Sequence, residues 1–222
     1  VVRGVLWAGL GLAALPIVVL LPLRWIDPPA TAFQLARAVE RAWNGDRPIW
    51  PVRIPVARAR MAPAIRRAAL AAEDDRFFLH HGFDLVEIDK ALERAERGGR
   101  LRGASTISQQ LAKNLLLWEG RSWVRKGYEL WITLVLELVL PKERILDLYL
   151  NAAEWGDGLF GIEAAARRWY GTTAARLSRE QAARLAAILP APRRWTPGGS
   201  VASRRAPIIL GRMRYAAPRP ID

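Results

Sequence analysis

Glu73 and Asp74 are adjacent carboxylates at the end of an alanine-rich stretch, residues 64–72, whose pattern is helical. Two acids at the negative pole of a helix are electrostatically unfavourable. A sequence accepts that arrangement where the acids have a use, or where a neighbour such as Arg76 pairs with one of them. Residues 103–114 read Gly-Ala-Ser-Thr-Ile-Ser-Gln-Gln-Leu-Ala-Lys-Asn. Thr106 and Gln109 have the spacing of a capping box, which predicts a helix from Ile107. Gln110, Lys113 and Asn114 then share one face. A helix N-terminus bearing the hydroxyls of Ser105 and Thr106, with Lys113 further along, is suited to hold an anion. The alternative is a capped, solvated helix. The pair Gln109-Gln110 beside Lys113-Asn114 favours a polar ligand.

These residues need elements to position them, and the chain reads as mainly α-helical with no convincing strand run. Residues 4–23 are uncharged and almost wholly apolar, and 20 residues of helix match the hydrocarbon thickness of a bilayer. Trp7 and Trp25 fall near its ends as interface anchors would. The rival is a cleaved signal peptide, since Ala30-Thr31-Ala32 has the A-x-A form. The length of the apolar run favours a retained anchor. We divide the chain into an anchor (1–26), a helical and extended connector (27–60), a main domain (61–200) and a C-terminal helix and tail (201–222). Asp84 with Glu87, and Ser178 with Gln181, mark further helix starts. Residues 130–140 form an apolar run closed by Pro141, too short to span a bilayer, which predicts a buried helix. Glu129 stands at its start. Residues 143–150 predict another helix, after which Asn151 opens a glycine-rich loop. Residues 115–118 and Trp123 are apolar and sit beside Arg121 and Arg125. They are expected either in the core or as a patch dipping into a membrane.

Lys and Arg total 34 against 21 acids, a net charge of +13. Such a surface wants an anionic partner: nucleic acid, anionic lipid or a phosphorylated substrate. The ten Trp do not alternate with basic residues as a nucleic-acid stacking platform would, so no nucleic-acid partner is expected. The absence of Cys removes disulfides and thiolate metal sites.

Four stretches in order carry a family resemblance. They are Glu73-Asp74-Asp75-Arg76-Phe77-Phe78-Leu79-His80-His81-Gly82, residues 103–114, Arg125-Lys126-Gly127-Tyr128-Glu129, and Lys142 through Asn151 with its Ile145-Leu146 and Tyr149-Leu150-Asn151. They resemble the motifs E-D-x-x-F-x-x-H-x-G, G-x-S-T-I-x-Q-Q-L-x-K-N, R-K-x-x-E and K-x-x-I-L-x-x-Y-L-N of the family 51 glycosyltransferases, which build peptidoglycan. The resemblance covers roughly residues 60–195.

It implies a lysozyme-like helical glycosyltransferase domain behind an N-terminal transmembrane helix. It implies an inverting reaction on lipid II, an undecaprenyl-pyrophosphate-linked disaccharide that serves as both donor and acceptor. Glu73 matches the catalytic base, and its place beside Asp74 and next to an aromatic pair would raise its pKa toward the working range. Glu129 matches the second catalytic acid, on the leaving-group side. Lys113, Arg121 and Arg125 are expected on pyrophosphate, with help from Ser105. Arg76 is expected near the acceptor's phosphate, and Gln109, Gln110 and Asn114 on sugar or phosphate oxygens or as supports. His80 is expected in a structural hydrogen bond, and Tyr149 and Asn151 as buttresses. No residue cluster forms a metal site by itself, so a divalent cation (Mg or Mn) would arrive with the pyrophosphate. The implied partners are lipid II, the growing glycan strand, the cytoplasmic membrane and other cell-wall synthesis or division proteins. The domain would face the outer, periplasmic side as a single-pass protein of the bacterial inner membrane. No S-x-x-K sequence occurs, so the resemblance is to the monofunctional form. A lytic transglycosylase, which cleaves peptidoglycan, is the alternative on a related fold.

Overall fold

A computed structural model describes residues 2–99, 105–118, 120 and 122–216. Arg121 and residues 100–104 lie outside the described residues. The helices are α1 (Val2–Leu20), α2 (Ala32–Asn44), α3 (Pro63–Glu73), α4 (Leu85–Glu96), α5 (Ile107–Leu116), α6 (Trp123–Val139), α7 (Lys142–Ala152), α8 (Ile162–Tyr170), α9 (Arg179–Ile188) and α10 (Ser200–Arg212). Three short strands complete the fold: β1 (Val52–Arg53), β2 (Glu154–Gly156) and β3 (Leu159–Phe160).

The start of α5 is the predicted one. The Thr106 hydroxyl accepts from Gln109 N while the Gln109 side chain accepts from Thr106 N, at 3.2 and 3.0 Å. Ser178 and Gln181 cap α9 the same way, and Thr31 and Gln34 cap α2. The core is built where α3, α5, α7, α9 and α10 meet. Ala68 and Ala69 of α3 and Ala182, Ala183 and Ala186 of α9 are wholly buried. Alanine faces of this kind let helix axes approach closely. Ile107, Leu111, Ile145 and Tyr149 fill the space between α5 and α7. α10 belongs to the same core, through Ala202, Ala206, Ile209 and Met213.

Several expectations change. Strands do occur: β3 pairs parallel with β1 and antiparallel with β2, so the 27–60 connector and the glycine-rich loop are stitched together. The pattern was invisible because each strand has only two or three residues. α7 runs two residues past Leu150, so Asn151 lies in its last turn and does not open the loop. Its side-chain oxygen accepts from Val56 N at 3.0 Å and its amide donates to Val56 O at 2.9 Å. α6 begins at Trp123, so Glu129 sits mid-helix, and only one side of α6 is buried. Leu134 and Leu138 on the other side are exposed, with Trp123 and Val124 near its start. The 115–118 segment divides: Leu115 and Leu117 are core, while Trp118 is exposed.

The apolar N-terminal run is also interrupted. α1 stops at Leu20 and a 3-10 turn, Leu21–Arg24, carries Pro22. Among the described residues no helix is long and apolar enough to cross a membrane. α1 packs on α6. Pro16 has no N–H to give the carbonyl of Leu12 four residues earlier. The Tyr128 hydroxyl donates to that carbonyl at 2.9 Å, and Trp131 Nε1 donates to Ala13 O at 3.0 Å.

Candidate active site

The adjacent acids have separate fates. Asp74 closes α3 and is buried, and its Oδ2 accepts from Ile107 N, the first residue of α5, at 3.0 Å. A carboxylate against the positive end of α5 offsets its position at the negative end of α3. His80 Nε2 lies 3.0 Å from Asp74 Oδ1, the structural hydrogen bond expected of it. Gly82, with φ of +88°, brings its carbonyl 2.6 Å from the Thr106 hydroxyl, which donates to it. A Cβ there would meet Thr133 Cγ2 at 2.9 Å, so the first motif needs glycine both for its backbone and for the packing of α6.

Glu73 faces the other way, into an open cavity of about 620 Å³. Its Oε2 accepts from Gln110 Nε2 at 2.8 Å. Burial raises its pKa above the usual carboxylate range; the Gln110 hydrogen bond, Arg205 and Lys113 act against that, while Asp74 adds to it. Gln110 Oε1 in turn accepts from the Tyr149 hydroxyl at 3.1 Å. Burial, with Glu73 and Asp74 nearby, drives the Tyr149 pKa well above its ordinary value, so the phenol keeps its proton. Ser105 and Thr106 line the Glu73 cavity, with Lys90, Arg94, Arg205 and Arg212.

Gln110 also borders a second cavity of about 280 Å³, with Lys113, Asn114 and Tyr149 on one wall and Phe33 and Arg37 of α2 on another. The Lys113 ammonium lies 5.3 Å from the Phe33 ring centroid. Gln110, Lys113 and Asn114 thus share one face of α5, as their spacing predicts, and that face lines this second cavity while Gln110 reaches Glu73 by its side-chain amide.

Glu129 belongs to a different cluster. It is buried, and its two oxygens are taken by Arg125 Nη1, at 3.0 Å, and Lys126 Nζ. Arg125 and Lys126 line a third cavity with Ser122 and Trp123. No hydrogen bond among the described residues joins this cluster to Glu73. Arg76 pairs with Asp84, the N-cap of α4, at 3.0 Å, and Gln109 is engaged in its own cap, so the structure gives both a structural partner.

Three groups escaped the sequence reading. Lys126 was legible, because it stands three residues before Glu129 on one helix face. Arg205 and Arg212 were not, because they come from α10, far along the chain. Asp74, His80 and Asp84 converge closely enough to suggest a metal site. Each is already engaged within the protein: Asp74 by Ile107 N and His80, and Asp84 by Arg76 and Glu87 N. Glu129 is likewise saturated by cations.

Residues 48–214 match the family model described as transglycosylase. The chain belongs to the transglycosylase family. It is 50% identical over 205 residues to a biosynthetic peptidoglycan transglycosylase of Pseudomonas entomophila, covering 91% of this chain and 85% of that one. A protein of the same name from Xanthomonas campestris pv. campestris is 49% identical over 207 residues, with 92% and 84% covered. One from Stutzerimonas stutzeri is 48% identical over 207 residues, with 92% and 85% covered. The match takes in the four motifs, so the transglycosylase carries Glu73, Gln110 and Glu129 within the matched segment.

Proposed function

We propose that this transglycosylase acts as a peptidoglycan glycosyltransferase, joining lipid II units into glycan strands. The observation that carries the reading is Glu73: a carboxylate of raised pKa, oriented by Gln110 and open to a cavity that Lys90, Arg94, Arg205 and Arg212 line together with the acids Asp75, Asp84 and Glu87. In the reaction a sugar hydroxyl of the acceptor gives its proton to Glu73 as its oxygen attacks the anomeric carbon of the donor. The bond from that carbon to the pyrophosphate oxygen breaks, with inversion, and undecaprenyl pyrophosphate leaves. Glu73 Oε1 is the natural proton acceptor, since Oε2 already receives the Gln110 N–H. General-base assistance of this kind contributes about 10²–10⁴-fold.

Lys113 on α5 and the Arg125–Lys126 pair on α6 are the cations proposed for the pyrophosphate. Glu129 would hold that pair in place from beneath. Arg121 is proposed with them from its motif position. A magnesium or manganese ion would come bound to the pyrophosphate, because Asp74, Asp84 and Glu129 already have partners in the protein.

We also propose that the apolar segment 4–23 anchors the protein in the inner membrane with its catalytic domain on the periplasmic side. The exposed Trp123, Val124, Leu134 and Leu138 support a domain seated against lipid. A polyprenyl-linked substrate favours that seating, since its tail leaves the bilayer only at about 0.8 kcal/mol per CH₂.

Incubation with lipid II alone tests the reading. Polymer formation with release of undecaprenyl pyrophosphate is expected, and purified sacculi should remain turbid. Cleared sacculi without polymer would reverse the assignment to cleavage.

A further inference from the structure

The cavity that exposes Glu73 is closed on one side by α10, which carries none of the four motifs. α10 packs on α3 and α9, so its placement is as firm as that of Glu73 itself. From it Arg205 and Arg212 reach the cavity. Arg205 is steadied by Trp195, whose ring centroid lies 5.9 Å from the guanidinium carbon. Its Nε is buried without a hydrogen-bond partner. Leaving a buried donor of a charged group unmatched is costly. A fold keeps such a group where its charge has a use.

We propose that Arg205 is a positioning residue: from across the cavity it sets a fixed positive charge opposite the base Glu73 without bonding to it. This rests on the reading of Glu73 as the base. The argument is electrostatic and geometric. Burial favours the protonated acid, and Asp74 at the end of α3 pushes the same way. Against them stand Gln110 and Lys113 of α5 and Arg205 of α10. Arg205 is the strongest of the charged groups opposing protonation. Tyr149 of α7 is neutral, and on α4 Lys90 is paired with Glu87 at 2.8 Å. Arg205 also does this without occupying a Glu73 oxygen, since no hydrogen bond between the two is formed. A closer cation would block the oxygen that the acceptor hydroxyl needs.

The experiment uses the full chain in detergent or liposomes with lipid II, following rate against pH. Wild type should lose activity as pH falls through the Glu73 pKa. Arg205→Gln should move that acidic limb to higher pH. The loss would be tenfold or more on the limb and shrink to under threefold on the alkaline plateau. Arg205→Lys should restore the wild-type profile. A uniform loss at all pH values, or no loss, overturns the proposal. Should Arg205→Gln melt below the assay temperature, Arg205→Lys decides alone: a profile shifted by a retained positive charge also overturns it. The parent reading is separable. If Glu73→Gln keeps a tenth or more of the activity, Glu73 is not the base. If Glu73→Gln is dead while the Arg205 profiles do not move, only the Arg205 inference fails.

Discussion

The Tyr149 hydroxyl donates to Gln110 Oε1 at 3.1 Å, and this turns the Gln110 amide so that its nitrogen faces Glu73. A glutamine facing a carboxylate with its own oxygen would repel it. Tyr149 removes that choice because it is buried and stays protonated. The motif residues are therefore a chain of donors ending on the base. We expect Tyr149→Phe to lower the polymerisation rate about tenfold, roughly the cost of one lost hydrogen bond of about 1 kcal/mol with its orienting effect. Wild-type turnover by Tyr149→Phe would show that the amide is held by other means.

Removing the amide itself has a pH signature. Gln110 lowers the Glu73 pKa by donating to the carboxylate. Gln110→Ala should raise that pKa, so the acidic limb of the rate profile moves to higher pH. A limb that stays in place, or moves down, contradicts the hydrogen bond as drawn.

Glu73→Gln should be inactive yet more stable. The raised Glu73 pKa means that the folded state favours the protonated acid. That contribution is full below the unfolded-state pKa and is lost as pH rises through the folded-state value. At neutral pH the ionised group therefore burdens the fold, by about 1.4 kcal/mol for each unit of elevation. Melting curves at pH 7 should show a higher Tm for Glu73→Gln, and at pH 4 the gain should shrink. A lower Tm at pH 7 would mean that the carboxylate is better solvated than its surroundings indicate.

The Glu129 cluster makes a different prediction. Arg125→Ala leaves a buried carboxylate with Lys126 as its remaining partner. Loss of both donor-side activity and about 1–3 kcal/mol of stability is expected. Lys126 is more exposed than Arg125, so Lys126→Ala should cost activity with little change in Tm. Equal melting losses for the two would place Lys126 in the fold rather than on the substrate.

The apolar surface separates from the core by mutation. Leu117→Ala should destabilise by about 2–5 kcal/mol, since the side chain is fully buried. Trp123→Ser with Val124→Ser should leave Tm nearly unchanged and weaken binding to anionic vesicles. Unaltered vesicle binding by the double variant would remove α6 from the membrane contact.

Local signals were legible in the sequence because their physics is local. The capping boxes at Thr106 and Ser178 depend on residues three apart, and they start α5 and α9 where the spacing says. The face shared by Gln110, Lys113 and Asn114 follows from the helical period alone. Asp74 shows the limit: its place at the head of α5 joins residues 33 positions apart, and no periodicity encodes that. Arg205 is further away still. The strands failed for another reason, since two or three residues are too few to display alternation. The run 130–140 misled because its apolar residues meet two surroundings: Ile132, Val135 and Leu136 face the core, while Leu134 and Leu138 face out.

Pro16 leaves the Leu12 carbonyl without its helical donor, and Tyr128 supplies one from α6, the helix that holds Glu129. The N-terminal helix is thus held by the domain behind it much as a ligand would be. A protein trimmed of α1 for solubility would lose that ligand. Its Tyr128 and Trp131 would be bared beside Leu134, a sticky stripe that detergent or a second molecule would cover. Self-association and detergent dependence of a trimmed enzyme would then report the empty seat of α1 and say little about the chemistry at Glu73.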